Sequence, residues 1–174
     1  MPSPLVVIVS GPPCTGKTAI ATRLSSAMGL PLITKDGIKE ALLDRLGWDD
    51  PEMARRYGLA SYDVLFHIAE RIVQAGCSLI AESNFRREYD RDGFTALQER
   101  YRFRAIQVQC TADGAVLWQR FLKRDASGDR HPGHAWIPIV MRNSARYSRR
   151  AGTSRSTSKA RCCGWTRPTS HASM

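Results

Sequence analysis

Gly11-Pro12-Pro13-Cys14-Thr15-Gly16-Lys17-Thr18 has the spacing GxxxxGK[ST], the Walker A pattern, and its setting gives the pattern its meaning. Just ahead, Leu5 to Ser10 is a strand-length stretch around the continuous β-branched run Val6 to Val9, as expected for a strand buried on both faces of a parallel sheet. Just behind, Ile20, Ala21, Leu24 and Ala27 recur at helical spacing between Lys17 and Met28, and Gly29 and Pro31 close that helix. A glycine turn between such elements can fold its backbone N–H groups inward as an anion nest, with Gly16 admitting a close approach that a Cβ would block. Lys17 adds a point charge, Thr18 a hydroxyl, and the helix its positive end. Pro12 and Pro13 have no N–H to donate, so the cradle must rest on the amides from Cys14 to Thr18.

Working outward, Pro31 to Thr34 reads as a short strand, followed by a helix opened by Asp36. A longer helix begins near Pro51, with Asp50 as its cap, and runs to Ala75. Ser78 to Ala81 is a second buried strand, Asp92 to Tyr101 a helix and Phe103 to Cys110 a strand. A last helix starts behind a Thr111 cap and ends near Arg124. Strands alternating with helices predict an α/β fold with a doubly wound parallel sheet.

The chain has 174 residues, enough for one domain, with hydrophobic residues at 43% and charged residues at 24%, as in globular proteins. No apolar run reaches the roughly 18 residues needed to span a bilayer, and Met1-Pro2-Ser3-Pro4 lacks the basic start of a signal peptide. No membrane contact is expected, and the cytoplasm is the expected compartment. The five cysteines, Cys14, Cys77, Cys110, Cys162 and Cys163, have no zinc-like spacing and read as free thiols.

The net charge of +10 is unevenly spread. Residues 1–129 hold 17 Lys and Arg against all 16 Asp and Glu, whereas residues 130–174 hold 9 basic residues and no acid. The body has no basic face built for nucleic acid; the tail could touch phosphate backbones without sequence preference.

Taken with the cradle, the segments Leu32-Ile33-Thr34-Lys35-Asp36-Gly37-Ile38-Lys39-Glu40, Leu79-Ile80-Ala81-Glu82-Ser83-Asn84-Phe85 and Arg130-His131-Pro132-Gly133-His134 carry a resemblance. The chain looks like the bacterial P-loop kinases labelled AAA family ATPase or predicted kinase, relatives of polynucleotide kinase, zeta toxins, gluconate kinase and chloramphenicol phosphotransferase. The likeness runs from residue 4 to about 134. It implies a P-loop NTPase sheet of nucleoside-monophosphate-kinase type, ATP and Mg²⁺ as cofactors, and transfer of the γ-phosphoryl group to a hydroxyl of a small acceptor. A nucleotide-binding module without turnover, and a nucleic-acid 5′-end kinase or binder using the basic tail, are the other readings.

The resemblance also suggests roles. Gly11, Cys14, Thr15, Gly16, Lys17 and Thr18 would hold the nucleotide phosphates, Lys17 reaching the β and γ groups and Thr18 the metal. Asp36 would orient the acceptor hydroxyl or take its proton; alternatively it only caps the helix starting at Gly37. Lys39, one turn on, would bind an anionic acceptor or a phosphate, or stay a solvated helix lysine. Glu82, at the carboxyl edge of a buried strand, would hold a metal-bound water or serve a structural hydrogen bond. Asn84 and Arg86 would line the acceptor cleft. Arg120, Arg124 and Arg130 fall where such kinases carry a lid, with Arg120 on the nucleotide and Arg124 and Arg130 on the transferring phosphoryl group. His131 and His134 lack the partners of a zinc site.

Relatives continue past the lid with a helix, a fifth strand and a final helix. Here the stretch after His134 is acid-free and rich in Ser, Arg, Thr and Ala, without an apolar period, like GC-rich DNA read out of frame. A frameshift just after the lid motif is one reading and a natural basic tail the other. Both divide the chain into an ATP-binding domain at 1–134 and a disordered basic tail at 135–174, and predict a sheet lacking a regular C-terminal strand.

Overall fold

The computed structural model describes residues 3–85, 91–128, 130–134 and 161–164. Four strands, β1 (Leu5–Ser10), β2 (Leu32–Thr34), β3 (Leu79–Glu82) and β4 (Arg104–Gln109), form a parallel sheet in the order β2-β3-β1-β4. Among the described residues five α-helices connect or follow them: α1 (Lys17–Met28), α2 (Lys35–Leu46), α3 (Pro51–Gln74), α4 (Arg91–Arg100) and α5 (Gly114–Ala126). The register pairs Val6 with Leu79 on one side and with Ala105 on the other, so β1 is central among the parallel strands. This is the doubly wound α/β sheet that the alternation of elements predicts.

The β-branched run of β1 fills both faces of the sheet. Val6 and Ile8 enter a core with Leu65, Ala69 and Val73 of α3 and Phe94 and Leu97 of α4. Val7 and Val9 enter a second core with Ala21 of α1, Ile80 and Val108. Leu65, Leu79 and Ile80 are fully buried, each contributing about 1.5–3 kcal/mol relative to exposure. Both layers thus fix the carboxyl ends of β1 and β3, from which the loops of the site emerge.

Two helix starts differ from the sequence expectation. Thr34, not Asp36, caps α2, its Oγ1 accepting from the amide of Gly37 at 3.2 Å. Asp36 therefore sits within the first turn, where the helix dipole favours its charge but its carboxylate is left for other work. Asp113, not Thr111, caps α5, its Oδ1 accepting from Ala115 N at 2.8 Å. Asp50 caps α3 as expected, with Pro51 at its start.

The sheet also corrects the expectation of no C-terminal strand. Arg161–Gly164 forms β5, antiparallel to β4, pairing Gln107 with Cys163 and Val108 with Cys162. Without it, β4 would present an unpaired row of backbone N–H and C=O groups, and backbone pairing needs no apolar period in the partner. Residues 135–160 and 165–174, on which most of the tail expectation falls, lie outside the described residues.

Candidate phosphate and acceptor cleft

Helix α1 begins differently from α2, α3 and α5. Its cap is Gly16 in the left-handed region at φ 86°, and no side chain bonds to its first turn. Its leading N–H groups are therefore left for an anion. A Cβ built on Gly16 would meet nothing within 4 Å, so the space over the turn is open. Gly11 is needed for a different reason. At φ 145° its missing Cβ would fall 2.2 Å from the carbonyl oxygen of Cys110, so glycine lets β1 turn beside the end of β4. Cys14 also has a positive φ, 65°, a left-handed conformation that costs a non-glycine residue about 1–2 kcal/mol. Its carbonyl oxygen accepts from Arg120 Nη1 at 3.3 Å, tying the loop to α5.

Lys17 is buried beneath this loop rather than facing solvent, its Nζ donating to the carbonyl of Pro12 at 3.0 Å. Thr15 Oγ1 donates to the same carbonyl at 2.9 Å, which closes the loop from within. Burial pushes the Lys17 pKa down, opposed by the charges of Glu82 and Asp36. Glu82, buried at the end of β3, accepts from Thr18 Oγ1 at 3.1 Å. Burial raises its pKa, while Lys17 and the Thr18 bond pull it down.

One cleft of about 430 Å³ gathers most of the residues the sequence pointed to. Cys14, Gly16, Lys17, Thr18, Glu82 and Asn84 come from the strand ends and the cradle. Asp36 and Lys39 come from α2, Arg120 and Arg124 from α5, and Arg130 from the loop beyond. Gly11 and Thr15 do not line it; they shape the loop. Arg86 lies outside the described residues. Sequence reasoning gave no role to Lys35, Phe121 or the His134 ring, which also line the cleft. Lys35 was legible only as the neighbour of Asp36, and nothing in its spacing marked it.

Asp36 is half-exposed, with its Oδ1 3.3 Å from Lys35 Nζ. Partial burial pushes its pKa up, but Lys35, followed by His134, holds it below the ordinary carboxylate range. Lys35 Nζ also lies 5.5 Å from the centroid of the Tyr62 ring. Arg130 is mostly buried, its guanidinium 5.5 Å from the Phe121 ring centroid and 3.9 Å from Asp125 Oδ1.

The turn Pro132–His134 is pinned to α2. His134 Nε2 bonds Glu40 Oε1 at 3.0 Å and His131 Nε2 bonds Asp44 Oδ1 at 2.9 Å. A carboxylate only accepts, so Nε2 carries the proton in each. Between them Gly133 fits against α2, where a Cβ would fall 2.7 Å from Leu43 Cδ1. The two histidines thus act as rivets between the turn and α2, and the described residues hold no cluster of His, Cys, Asp and Glu suited to a metal.

An uncapped helix start, a glycine turn and a buried lysine at the carboxyl edge of a parallel sheet make this a candidate P-loop phosphate site. The chain belongs to the AAA domain family AAA_33, which matches residues 6–137, and it is a P-loop kinase-like protein. It is similar to a candidate kinase from Chloroflexus aurantiacus J-10-fl, at 45% identity over 76% of this chain and 72% of that one, with a TM-score of 0.74. In fold it also resembles a chain of the Pnkp1/Rnl/Hen1 RNA repair complex, at 14% identity over 98% of this chain and 51% of that one, TM-score 0.60. A sugar kinase from Janibacter sp. HTCC2649 shares the fold at 20% identity over 84% and 78% of the two chains, TM-score 0.52. No curated protein matches. Among the described residues no helix is long and apolar enough to cross a membrane.

Proposed function

We propose that this chain is an ATP-dependent phosphotransferase that moves the γ-phosphoryl group to a hydroxyl of a small acceptor in the cytoplasm. The observation that carries this reading is the half-exposed carboxylate of Asp36, held ionised, in the same cleft as Lys17 and the open start of α1. Because Thr34 caps α2, Asp36 is not needed as the cap.

In this reading the amides of residues 14–18 cradle the polyphosphate, and Lys17 exchanges its bond to the Pro12 carbonyl for the β and γ phosphates. Thr18 and Glu82, already joined by a hydrogen bond, are the oxygen donors that fit Mg²⁺, which when bound neutralises phosphate charge. Asp36 orients the acceptor hydroxyl and receives its proton as the new oxygen–phosphorus bond forms and the β–γ bridge opens. Arg124 and Arg130 offset charge on the phosphoryl group, and Arg120 braces the nucleotide side through Cys14. Lys39 and Asn84 face the acceptor, and residues 1–134 suffice for the site.

The deciding test is transfer from γ-labelled ATP to panels of antibiotics, sugars, nucleosides and 5′-hydroxyl oligonucleotides. Transfer that Asp36→Asn abolishes supports the proposal. MgATP binding with no transfer to any panel would make the chain a nucleotide-binding module instead.

A further inference from the structure

Lys39 stands apart from the other cations of the cleft. It is only 8% exposed, yet its ammonium makes no hydrogen bond or ion pair among the described residues. Lys17 has the Pro12 carbonyl, Lys35 has Asp36 and the Tyr62 ring, Arg120 has the Cys14 carbonyl, Arg130 has Asp125 and Phe121, and Arg124 is exposed to solvent. No side-chain nitrogen among the described residues is both fully enclosed and without a hydrogen bond, so this ammonium opens on the cleft that Lys39 lines, where an anion can reach it. Lys35 repels it more than Asp36 attracts it. A Cβ on Gly58 of α3 would meet Lys39 Cε at 3.8 Å and Lys35 Nζ at 3.9 Å, so the two lysine side chains run together across α3. Burial first, and Lys35 second, push the Lys39 pKa down.

The charge balance of the cleft leads the same way. Its described lining holds six cations, Lys17, Lys35, Lys39, Arg120, Arg124 and Arg130, against two carboxylates, Asp36 and Glu82. The excess is four positive charges. MgATP brings about two net negative charges, since the metal cancels roughly half of the polyphosphate charge. About two positive charges are left over, and the lysines that the nucleotide reading does not use, Lys35 and Lys39, flank Asp36.

Resting on the phosphotransferase reading above, we infer that the acceptor is an alcohol that also carries a phosphate monoester, seated on Lys39 and Lys35 while its hydroxyl meets Asp36. A phosphate monoester is close to a dianion at neutral pH, which matches the surplus, and its oxygens can accept from both ammoniums at once. A neutral sugar or nucleoside would leave Lys39 unpaired.

The test is calorimetric titration of the full chain. Binding of MgAMPPNP is measured first. The loaded protein is then titrated with matched pairs: glycerol and glycerol phosphate, ribose and ribose 5-phosphate, a nucleoside and its 3′-monophosphate, and gluconate as a carboxylated alcohol. At least one phosphorylated member should bind about tenfold or more tightly than its neutral partner, as expected for charge-assisted contacts. Lys39→Met should erase that preference while MgAMPPNP affinity stays within about twofold, and Lys39→Arg should keep it. Lys35→Met gives the same readout should Lys39→Met fail to fold. Neutral alcohols bound as well as phosphorylated ones, gluconate preferred over all phosphates, or an undiminished preference in Lys39→Met would each overturn the inference. Failure of the wild-type chain to bind MgAMPPNP would instead overturn the phosphotransferase reading beneath it.

Discussion

Thr18 and Glu82 are 64 residues apart in sequence, yet the threonine hydroxyl donates to the Glu82 carboxylate at 3.1 Å, bridging the start of α1 and the end of β3. Among the described residues the bond joins the only hydroxyl of the cradle that lines the cleft to the one carboxylate of the sheet edge that does so. In the proposed enzyme both groups turn toward Mg²⁺, so Glu82→Gln should raise the Mg²⁺ concentration for half-maximal transfer by about tenfold or more. MgADP binding followed across a magnesium titration provides a second readout. An unchanged magnesium dependence would leave Glu82 a structural partner of Thr18.

Lys17→Ala should weaken MgATP binding by at least about a hundredfold, because in the proposed enzyme it removes the charge aimed at the β and γ phosphates. Lys17 is nearly buried, so the variant also loses its bond to the Pro12 carbonyl and should lose about 1 kcal/mol of stability. Calorimetry and urea unfolding separate the two effects. Full nucleotide affinity in a folded Lys17→Ala chain would end the P-loop reading.

Asp36→Asn should lower phosphoryl transfer about a hundredfold and leave MgATP affinity within about twofold. Stability should hardly change, since Thr34 supplies the α2 cap and Asp36 is half-exposed. Thr34→Ala gives the complementary result: about 1 kcal/mol of stability lost, with little direct effect on a proton transfer. Equal turnover in Asp36→Asn would remove the proposed base.

How much was legible follows from which interactions are local. The cradle could be read because strand, turn and helix start are contiguous, and each demands particular residues at fixed offsets. The mistaken cap of α2 shows the limit: Thr34 and Asp36 are both good cap residues, and only the backbone geometry at Thr34 decides between them. Lys35 and the His134 ring escaped because their places depend on α3 and α2 meeting the turn at residues 132–134. β5 escaped because its pairing is made by backbone groups of residues far from β4 in sequence.

Acid should loosen the chain through His134. Burial lowers its pKa from 6.5 to about 4, helped by Lys39, Arg130 and Lys35 and opposed by Asp36. The folded state therefore binds fewer protons than the unfolded chain between these values, and stability falls as pH drops from 6.5 toward about 4. The full effect is on the order of 3 kcal/mol at most. Urea unfolding across this range should show a steeper loss in the wild type than in His134→Gln, which cannot titrate but keeps a donor for Glu40. Parallel pH profiles would show that His134 does not carry the charge change.

Cutting the chain after His134 tests what the remainder contributes. Residues of every element that lines the described cleft lie at or before position 134, so the shortened chain should bind MgATP within about twofold of the full one. Its sheet should be worse protected. β4 would lose the pairing from Ile106 to Gln109 with β5, and Ile106 is already 38% exposed, so the truncation creates an apolar edge open to a second copy. Amide exchange should accelerate at alternate positions of β4, those not bonded to β1, while the amides of β1 stay protected. Light scattering should show concentration-dependent self-association, and a Lys placed at Ile106 in the shortened chain should suppress it. A truncated chain that stays monomeric with unchanged exchange in β4 would mean that β5 does not protect this edge in solution, and loss of MgATP binding on truncation would mean that the site reaches beyond residue 134.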